Sequence, residues 1–171
     1  MKLKVLVTLC AALAGGSAMA ASCSSTSNFG NMGPPGFALF SNNFDHAGSF
    51  SDCYTFSLNS AADSFGGVIE IDPWFNKLDI DVSSVSLFFG SNLVGQDSSP
   101  WSFGFGSLAA GNYTLAVAGQ VSRDGGFTNA PVFYTGSMAT VAAAVPEPET
   151  YAMMLAGLFG VGAVARHRKA A

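Results

Sequence analysis

The sequence predicts an all-β fold, a jelly-roll-like β-sandwich at residues 21–144, between two terminal segments of different composition. Apolar and polar residues alternate with a period of two in several short stretches, which is typical of half-buried strands. Turn residues recur about every 8 to 12 residues, and no stretch of this span has the period of an amphipathic helix. A chain of 171 residues accommodates one such domain with its own core.

The clearest predicted strand covers residues 50–58. Its residues alternate between an aromatic-rich face and a face of small polar residues that includes Cys53. Asp52 is unexpected because it falls on the apolar face, and we interpret it as a strand end, a bulge or the cap of a neighbouring turn. The apolar face carries Phe50, Asp52, Tyr54, Phe56 and Leu58.

The other predicted strands follow in chain order. Residues 78–82 place Asp79 and Asp81 on the solvent side, and residues 85–89 continue that pattern. Glycine-containing turns are expected at 66–67 and at 110–112. The remaining strands are predicted at residues 68–71, 113–117 and 132–141.

The charge distribution excludes nucleic acid as a partner. Between residues 21 and 145 the chain has two cations, Lys77 and Arg123, against nine acidic residues, a formal charge of −7. Such a domain cannot neutralise a phosphate backbone. Solubility outside the cell is the simpler explanation of this charge.

Residues 1–20 have the pattern of a secretory signal peptide. Two lysines precede a short apolar run, and Ala18 and Ala20 form an A-x-A cleavage site, so we expect export across an inner membrane and cleavage after Ala20. A lipoprotein is the alternative because Cys23 lies nearby, but Ala20 occupies the position where a lipobox usually has leucine.

Removal of the leader leaves two cysteines, Cys23 and Cys53. In an oxidising compartment an even pair predicts one disulfide. The alternative is a reactive thiol, for which the mature domain offers only His46 as a base, with no orienting partner in view.

The composition changes abruptly after Ala144. Two prolines hold the next residues extended, and an uncharged stretch at 151–165 predicts a short transmembrane helix. The following basic end predicts a cytoplasmic terminus by the positive-inside rule. A buried C-terminal helix of a soluble domain is the alternative, but it does not explain the abutting prolines and cations. The extended segment contains Pro146, Glu147 and Pro148, and the basic end at 166–169 contains Arg166, Arg168 and Lys169.

This arrangement at residues 145–170 resembles the PEP-CTERM sorting signal, which is also known as the ice-binding protein C-terminal domain. The resemblance implies an exosortase as processing partner, a single-span intermediate in the inner membrane, and transfer to the cell surface or extracellular matrix. It does not imply ice binding.

Residues 50–54 are similar to the motif of the FxDxF family of PEP-CTERM proteins. Phe50, Asp52 and Tyr54 occupy the motif positions, with tyrosine in place of the final phenylalanine. Residues 108–115 resemble the penultimate hairpin of that family. The resemblance implies no activity, and it implies core packing for the aromatic residues.

Two ligand sites are conceivable. Asp72, Asp79 and Asp81 offer carboxylates for calcium, although no EF-hand pattern is present and a solvent-facing strand explains Asp79 and Asp81. A set of aromatic residues would stack on sugars if exposed, but we expect them to fill the core of a small sandwich. These are Trp74, Phe75, Trp101, Phe103 and Phe105.

No nucleotide-binding, zinc-protease or serine-hydrolase pattern occurs in the sequence, so we expect no cofactor and no catalysis. The leading hypothesis is a noncatalytic surface or matrix protein. A carbohydrate-binding module for exopolysaccharide and a secreted hydrolase are the alternatives. An exposed Trp74 or Trp101 would favour the carbohydrate-binding module.

Overall fold

The computed structural model describes residues 22–123, 125–144 and 152–159, and its strands form two sheets, which confirms the all-β prediction. Residues 152–159 form a helix. The nine strands of the described chain are β1 (Ser25–Asn31), β2 (Gly36–Phe44), β3 (Gly48–Leu58), β4 (Ala62–Ile71), β5 (Leu78–Phe89), β6 (Asn92–Asp97), β7 (Phe103–Leu108), β8 (Gly111–Arg123) and β9 (Val132–Ala142).

Strands that follow each other in the chain mostly lie in different sheets. The five-stranded sheet has the order β1-β3-β8-β5-β6, and the four-stranded sheet has the order β2-β9-β4-β7. Among the described strands, only β5 and β6 are consecutive and paired. The β1–β3 pair is parallel, whereas the other pairs are antiparallel.

The inward faces of both sheets meet in one hydrophobic core. Leu87, Leu115 and Val117 contribute from the five-stranded sheet and are completely buried. Val132 and Met138 of β9 are equally buried on the four-stranded side. In β9 each buried side chain alternates with a more exposed neighbour, so the period-two pattern of its sequence reports which face lies inward.

The predicted strands at 50–58 and 132–141 are confirmed by β3 and β9. The two predicted segments at 78–82 and 85–89 form a single strand, β5, whose pairing shifts between Val82 and Ser84.

The predicted turn at 66–67 is wrong, because both glycines lie inside β4. A Cβ at Gly66 would lie 2.1 Å from the Ser137 carbonyl oxygen, and a Cβ at Gly67 would lie 2.4 Å from the Trp101 carbonyl oxygen. Neighbouring backbone therefore requires glycine at both positions, and no change of chain direction is involved.

The predicted hairpin at 108–115 is also wrong, since β7 and β8 belong to different sheets. The connection crosses the edge of the core, and the Tyr113 hydroxyl donates a hydrogen bond to the Ala109 carbonyl at 2.8 Å. A tyrosine that bonds back across such a crossing is the tyrosine corner of Greek-key sandwiches.

A disulfide joins Cys23 to Cys53, as predicted, with the two Cα atoms 5.5 Å apart. It attaches the residues just before β1 to the middle of β3, at the edge of the five-stranded sheet. The two cysteines are 30 positions apart in the sequence, so the disulfide closes a loop and restricts the unfolded chain.

Replacing both cysteines, Cys23→Ala with Cys53→Ala, is expected to lower the free energy of unfolding by about 3 kcal/mol, because the unfolded chain regains the entropy of that loop. Urea unfolding of the exported protein, recovered from its host, measures the loss. Adding a reductant to the wild type should give a similar loss and leave the double variant unchanged. Alkylation of both thiols in the unreduced wild type would contradict the prediction.

Candidate functional site

The residues of the FxDxF-like motif point into the core from β3. Asp52 is completely buried, and the pairing of β3 with β8 continues without a shift from Gly48 to Leu58. Asp52 is therefore neither a strand end nor a bulge, and it caps no turn. Its position on the apolar face is possible because polar side chains from other strands reach it.

Side chains from three other strands donate hydrogen bonds to the Asp52 carboxylate. Ser25 Oγ of β1 donates to Oδ1 at 2.6 Å. Asn42 Nδ2 of β2 donates to Oδ2 at 2.8 Å, and the Tyr134 hydroxyl of β9 donates to Oδ2 at 2.7 Å. Since the single Tyr134 hydrogen is used in this way, the Tyr54 hydroxyl donates to the Tyr134 oxygen, 2.7 Å away. We call these five residues the Asp52 network.

The two phenols of the Asp52 network remain protonated. Burial raises the pKa of Tyr134, and the hydrogen bonds with Tyr54 and Asp52 raise it further. Burial also raises the pKa of Tyr54. Neither hydroxyl is available as a base, and the network connects strands of both sheets.

The tryptophans are exposed, so the expectation that they fill the core is wrong for both. Trp74 has 85% of its surface exposed and Trp101 has 67%. Each lies in a loop, between β4 and β5 or between β6 and β7, and each follows a proline. Proline before tryptophan was the available sequence signal, because it marks a loop. Phe103 and Phe105 are buried in β7, as expected.

Two loops bring three aromatic rings together, which we call the aromatic loop cluster (Trp74, Phe75 and Phe127). The Trp74 and Phe75 rings are 5.7 Å apart in a T-shaped arrangement, and Phe75 and Phe127 are 6.4 Å apart. Phe127 is 74% exposed. The part of Phe127 was not predictable from the sequence, because this residue lies about 50 residues from the other two.

Buried Asn76 holds these two loops together. Its Nδ2 donates to the Ala130 carbonyl at 2.7 Å, and its Oδ1 accepts from the Ala130 amide at 3.1 Å. This two-way bond to a single residue fixes the backbone beneath Trp74 and Phe127. The aromatic loop cluster is therefore an exposed set of rings on a fixed support.

The remaining candidates for polar chemistry are scattered. Asp79 and Asp81 are exposed on the solvent side of β5, as predicted. His46 is exposed, with its Nδ1 2.5 Å from Asp45 Oδ1. In the parts of the chain that the structure describes, no group of three or more His, Cys, Asp or Glu side chains is placed to hold a metal ion.

The sorting residues of both termini lie outside the described residues. The side chains of the described helix, residues 152–159, are exposed. Among helices in the described ranges, none combines the length and the hydropathy needed to cross a bilayer. The predicted cleavage and sorting positions outside the described residues are Ala18, Ala20, Pro146, Glu147, Pro148, Arg166, Arg168 and Lys169.

The C-terminal segment matches a known protein family. A family model described as the PEP-CTERM protein-sorting motif matches residues 144–169. The chain carries a PEP-CTERM sorting motif. The match coincides with the segment recognised in the sequence and begins two residues after the last strand, β9.

No curated protein matches the sequence significantly. Among solved structures, the chain is similar to PliG of Aeromonas hydrophila, a periplasmic lysozyme inhibitor of g-type lysozyme, with a TM-score of 0.39 and 10% identity. The similarity covers 67% of this chain and 99% of that chain. A likeness this distant supports no inference about function.

The two tyrosines of the Asp52 network are expected to differ in their contribution to stability. Tyr134→Phe removes a donor from Asp52 and leaves the Tyr54 hydroxyl without its acceptor, so it should cost about 3 kcal/mol. Tyr54→Phe removes only the last donor and restores the phenylalanine of the FxDxF motif, so it should cost about 1 kcal/mol. Urea unfolding of the exported protein measures both. Equal losses would contradict the asymmetric network.

Proposed function

We propose that this protein is an exported, noncatalytic cell-surface or extracellular-matrix protein that an exosortase sorts through its PEP-CTERM motif. The observation that supports this function is the motif at residues 144–169, placed directly after the last strand of a disulfide-bonded β domain. The proposed organisation is a signal peptide at 1–20, a β domain at 21–144 and a sorting signal at 145–170.

The proposed route has two steps. The signal peptide directs the chain through the inner membrane and is cleaved after Ala20. Residues 151–165 and the basic end then hold the chain as a single-span intermediate. Fifteen helical residues cover only about 22 Å of the roughly 30 Å hydrocarbon layer, so this helix is better suited to a temporary stop than to a permanent anchor. The exosortase recognises Pro146, Glu147 and Pro148 and removes the helix.

A noncatalytic role agrees with the positions of the polar groups. The buried acid and phenols of the Asp52 network bond to one another between the sheets, whereas His46 lies at the surface beside Asp45. A nucleophile and its base would have to lie within hydrogen-bond reach in an accessible cleft. The secreted-hydrolase hypothesis therefore has no site to support it among the described residues.

The arrangement of strands also supports the jelly-roll-like sandwich. With edge strand β1 set aside, each sheet takes four strands, and the chain passes from one sheet to the other at every connection except β5–β6. Two four-stranded sheets of this kind around a shared core are typical of jelly rolls. Such sandwiches serve as binding and structural domains on surfaces, which agrees with the proposed role but does not specify it.

Carbohydrate binding is a second candidate function, favoured by the exposure of Trp74 and Trp101. Flat aromatic rings stack on the C–H faces of sugars, and the aromatic loop cluster presents such rings at the surface. The ligand would be the exopolysaccharide of the producing cell. Asn76 fixes the support of the cluster, which limits the entropy lost on binding.

Deletion of the exosortase gene is expected to leave a tagged chain at full length in the inner-membrane fraction, because its helix is no longer removed. Alanine at Pro146, Glu147 and Pro148 should give the same result in the wild-type host, and Ser122→Ala, an exposed change in β8, should be sorted normally. Immunoblots of membrane and matrix fractions measure the outcome. Identical fractionation with and without the enzyme would contradict the sorting proposal.

The carbohydrate hypothesis predicts that Trp74→Ala with Trp101→Ala weakens binding of the producer's exopolysaccharide at least tenfold, since loss of about 1.4 kcal/mol of stacking has this effect. Val94→Ala, a change at another exposed apolar residue, is the matched control and should bind normally. The chain has two tryptophans, both exposed, so their fluorescence reports binding by the wild type and by Val94→Ala, and isothermal titration measures the double variant, which has none. Unchanged emission on addition of the polysaccharide would dismiss this second function.

A further inference from the structure

The outward side of the four-stranded sheet is apolar, although a solvent-facing sheet surface is ordinarily polar. Strands β2, β4 and β9 place large hydrophobic side chains there, each with more than a third of its surface exposed. We call this surface the outer apolar face. It consists of Phe37, Leu39, Phe65, Ile69, Ile71, Phe133 and Val141.

The strand register makes this surface continuous. Ala139 of the central strand β9 lies between Phe37 of β2 and Phe65 of β4. Two positions earlier in β9, Ser137 lies between Leu39 and Gly67. Neighbouring strands are about 4.8 Å apart, so the residues of each row are neighbours across the sheet. The apolar side chains thus form a single patch.

The outer apolar face is also uncharged, unlike the rest of the domain. Along the outward positions of β2, β4 and β9 the only ionisable residue is Asp63, at the margin, where its Oδ1 accepts a hydrogen bond from the Ser107 amide at 2.8 Å. The opposite sheet presents Asp79, Asp81 and Gln120 to solvent. The span from residue 21 to residue 145 carries a formal charge of −7, and none of that charge lies within the patch.

The relief of the patch is self-complementary. Large side chains stand on the flanking strands, with Phe37 and Leu39 on β2 and Ile69 on β4. Between Phe133 and Val141, which lie near its two ends, β9 presents only the smaller Thr135, Ser137 and Ala139 on this face, all partly exposed. A row of large side chains beside a row of small ones forms a ridge and a groove. A twofold axis between these rows places the ridge of each copy in the groove of the other.

We propose that a second copy of this chain binds the outer apolar face, so that two domains pack sheet on sheet. The charge distribution favours a second copy as the partner. Two copies of this acidic domain can pack through the outer apolar face without bringing their carboxylates together. The plan area of the patch is on the order of 400 Å², from the spacing and rise of its strands, against about 800 Å² per partner in a standard interface. The dimer is therefore weak and reversible, and it forms where copies are concentrated on a membrane or in a matrix.

Sedimentation velocity of the exported protein, recovered from its host, tests this proposal from micromolar to millimolar concentration. The wild type is expected to pass from monomer to dimer, and the dimer should strengthen as salt rises, because salt screens the repulsion between the two acidic domains. Leu39→Thr with Ile69→Thr should weaken the dimer at least tenfold. Threonine keeps the strand propensity at both exposed positions, so folding is preserved.

Leu93→Thr is the matched control, because Leu93 is 55% exposed on β6 of the other sheet. It should leave the dimer unchanged, and all variants should retain the wild-type melting temperature. A wild type that stays monomeric at every concentration overturns the proposal. So does equal weakening by Leu93→Thr. A third outcome would assign the face to a lipid surface instead. In that case the wild type is monomeric and floats with vesicles of phosphatidylethanolamine and phosphatidylglycerol, and Leu39→Thr with Ile69→Thr abolishes the flotation.

Discussion

The buried carboxylate of Asp52 is the constraint on which the joining of the two sheets depends. A carboxylate in an apolar core is costly unless donors surround it, and here one donor comes from each of β1, β2 and β9. Asp52 belongs to the five-stranded sheet, whereas Asn42 and Tyr134 belong to the other, so the charge is satisfied only when both sheets are in place. A core of purely apolar contacts would tolerate small shifts of one sheet over the other. Hydrogen bonds of fixed length and direction do not.

Strands with one buried and one solvated face were predictable from the sequence, and those at the sheet edges were not. In β3 large apolar residues alternate with small ones except at Asp52, and in β9 buried residues alternate with more exposed ones, because one side of each strand packs on the core. Almost all residues of edge strand β1 are exposed, so its sequence needs no alternation of apolar and polar residues. The glycines of β4 were misread as a turn, since close approach of backbone from another strand leaves no trace in the local sequence.

The candidate sites show the same division between local and distant signals. The sorting tail is a linear signal, and its residues were recognisable without any fold. Asp52 stood out as an anomaly on an apolar face, but its partner Tyr134 lies 82 residues away and no local rule connects them. Trp74 was assigned to the core on size alone, although the preceding proline places it in a loop. The partner of Asp52 and the exposure of Trp74 depend on tertiary structure. A period-two pattern in the sequence carries no information about tertiary contacts.

The position of β9 limits when the four-stranded sheet can be completed. This last strand lies between β2 and β4, so the four-stranded sheet has a gap at its centre until residues 132–142 are available. The sorting motif begins at residue 144. On the proposed route, a chain threaded from its N-terminus delivers the strand that closes the four-stranded sheet and the sorting motif almost together. Its earlier strands cannot complete either the sheet or the Asp52 network before then. On the proposed route, the β domain therefore closes only as the sorting motif arrives.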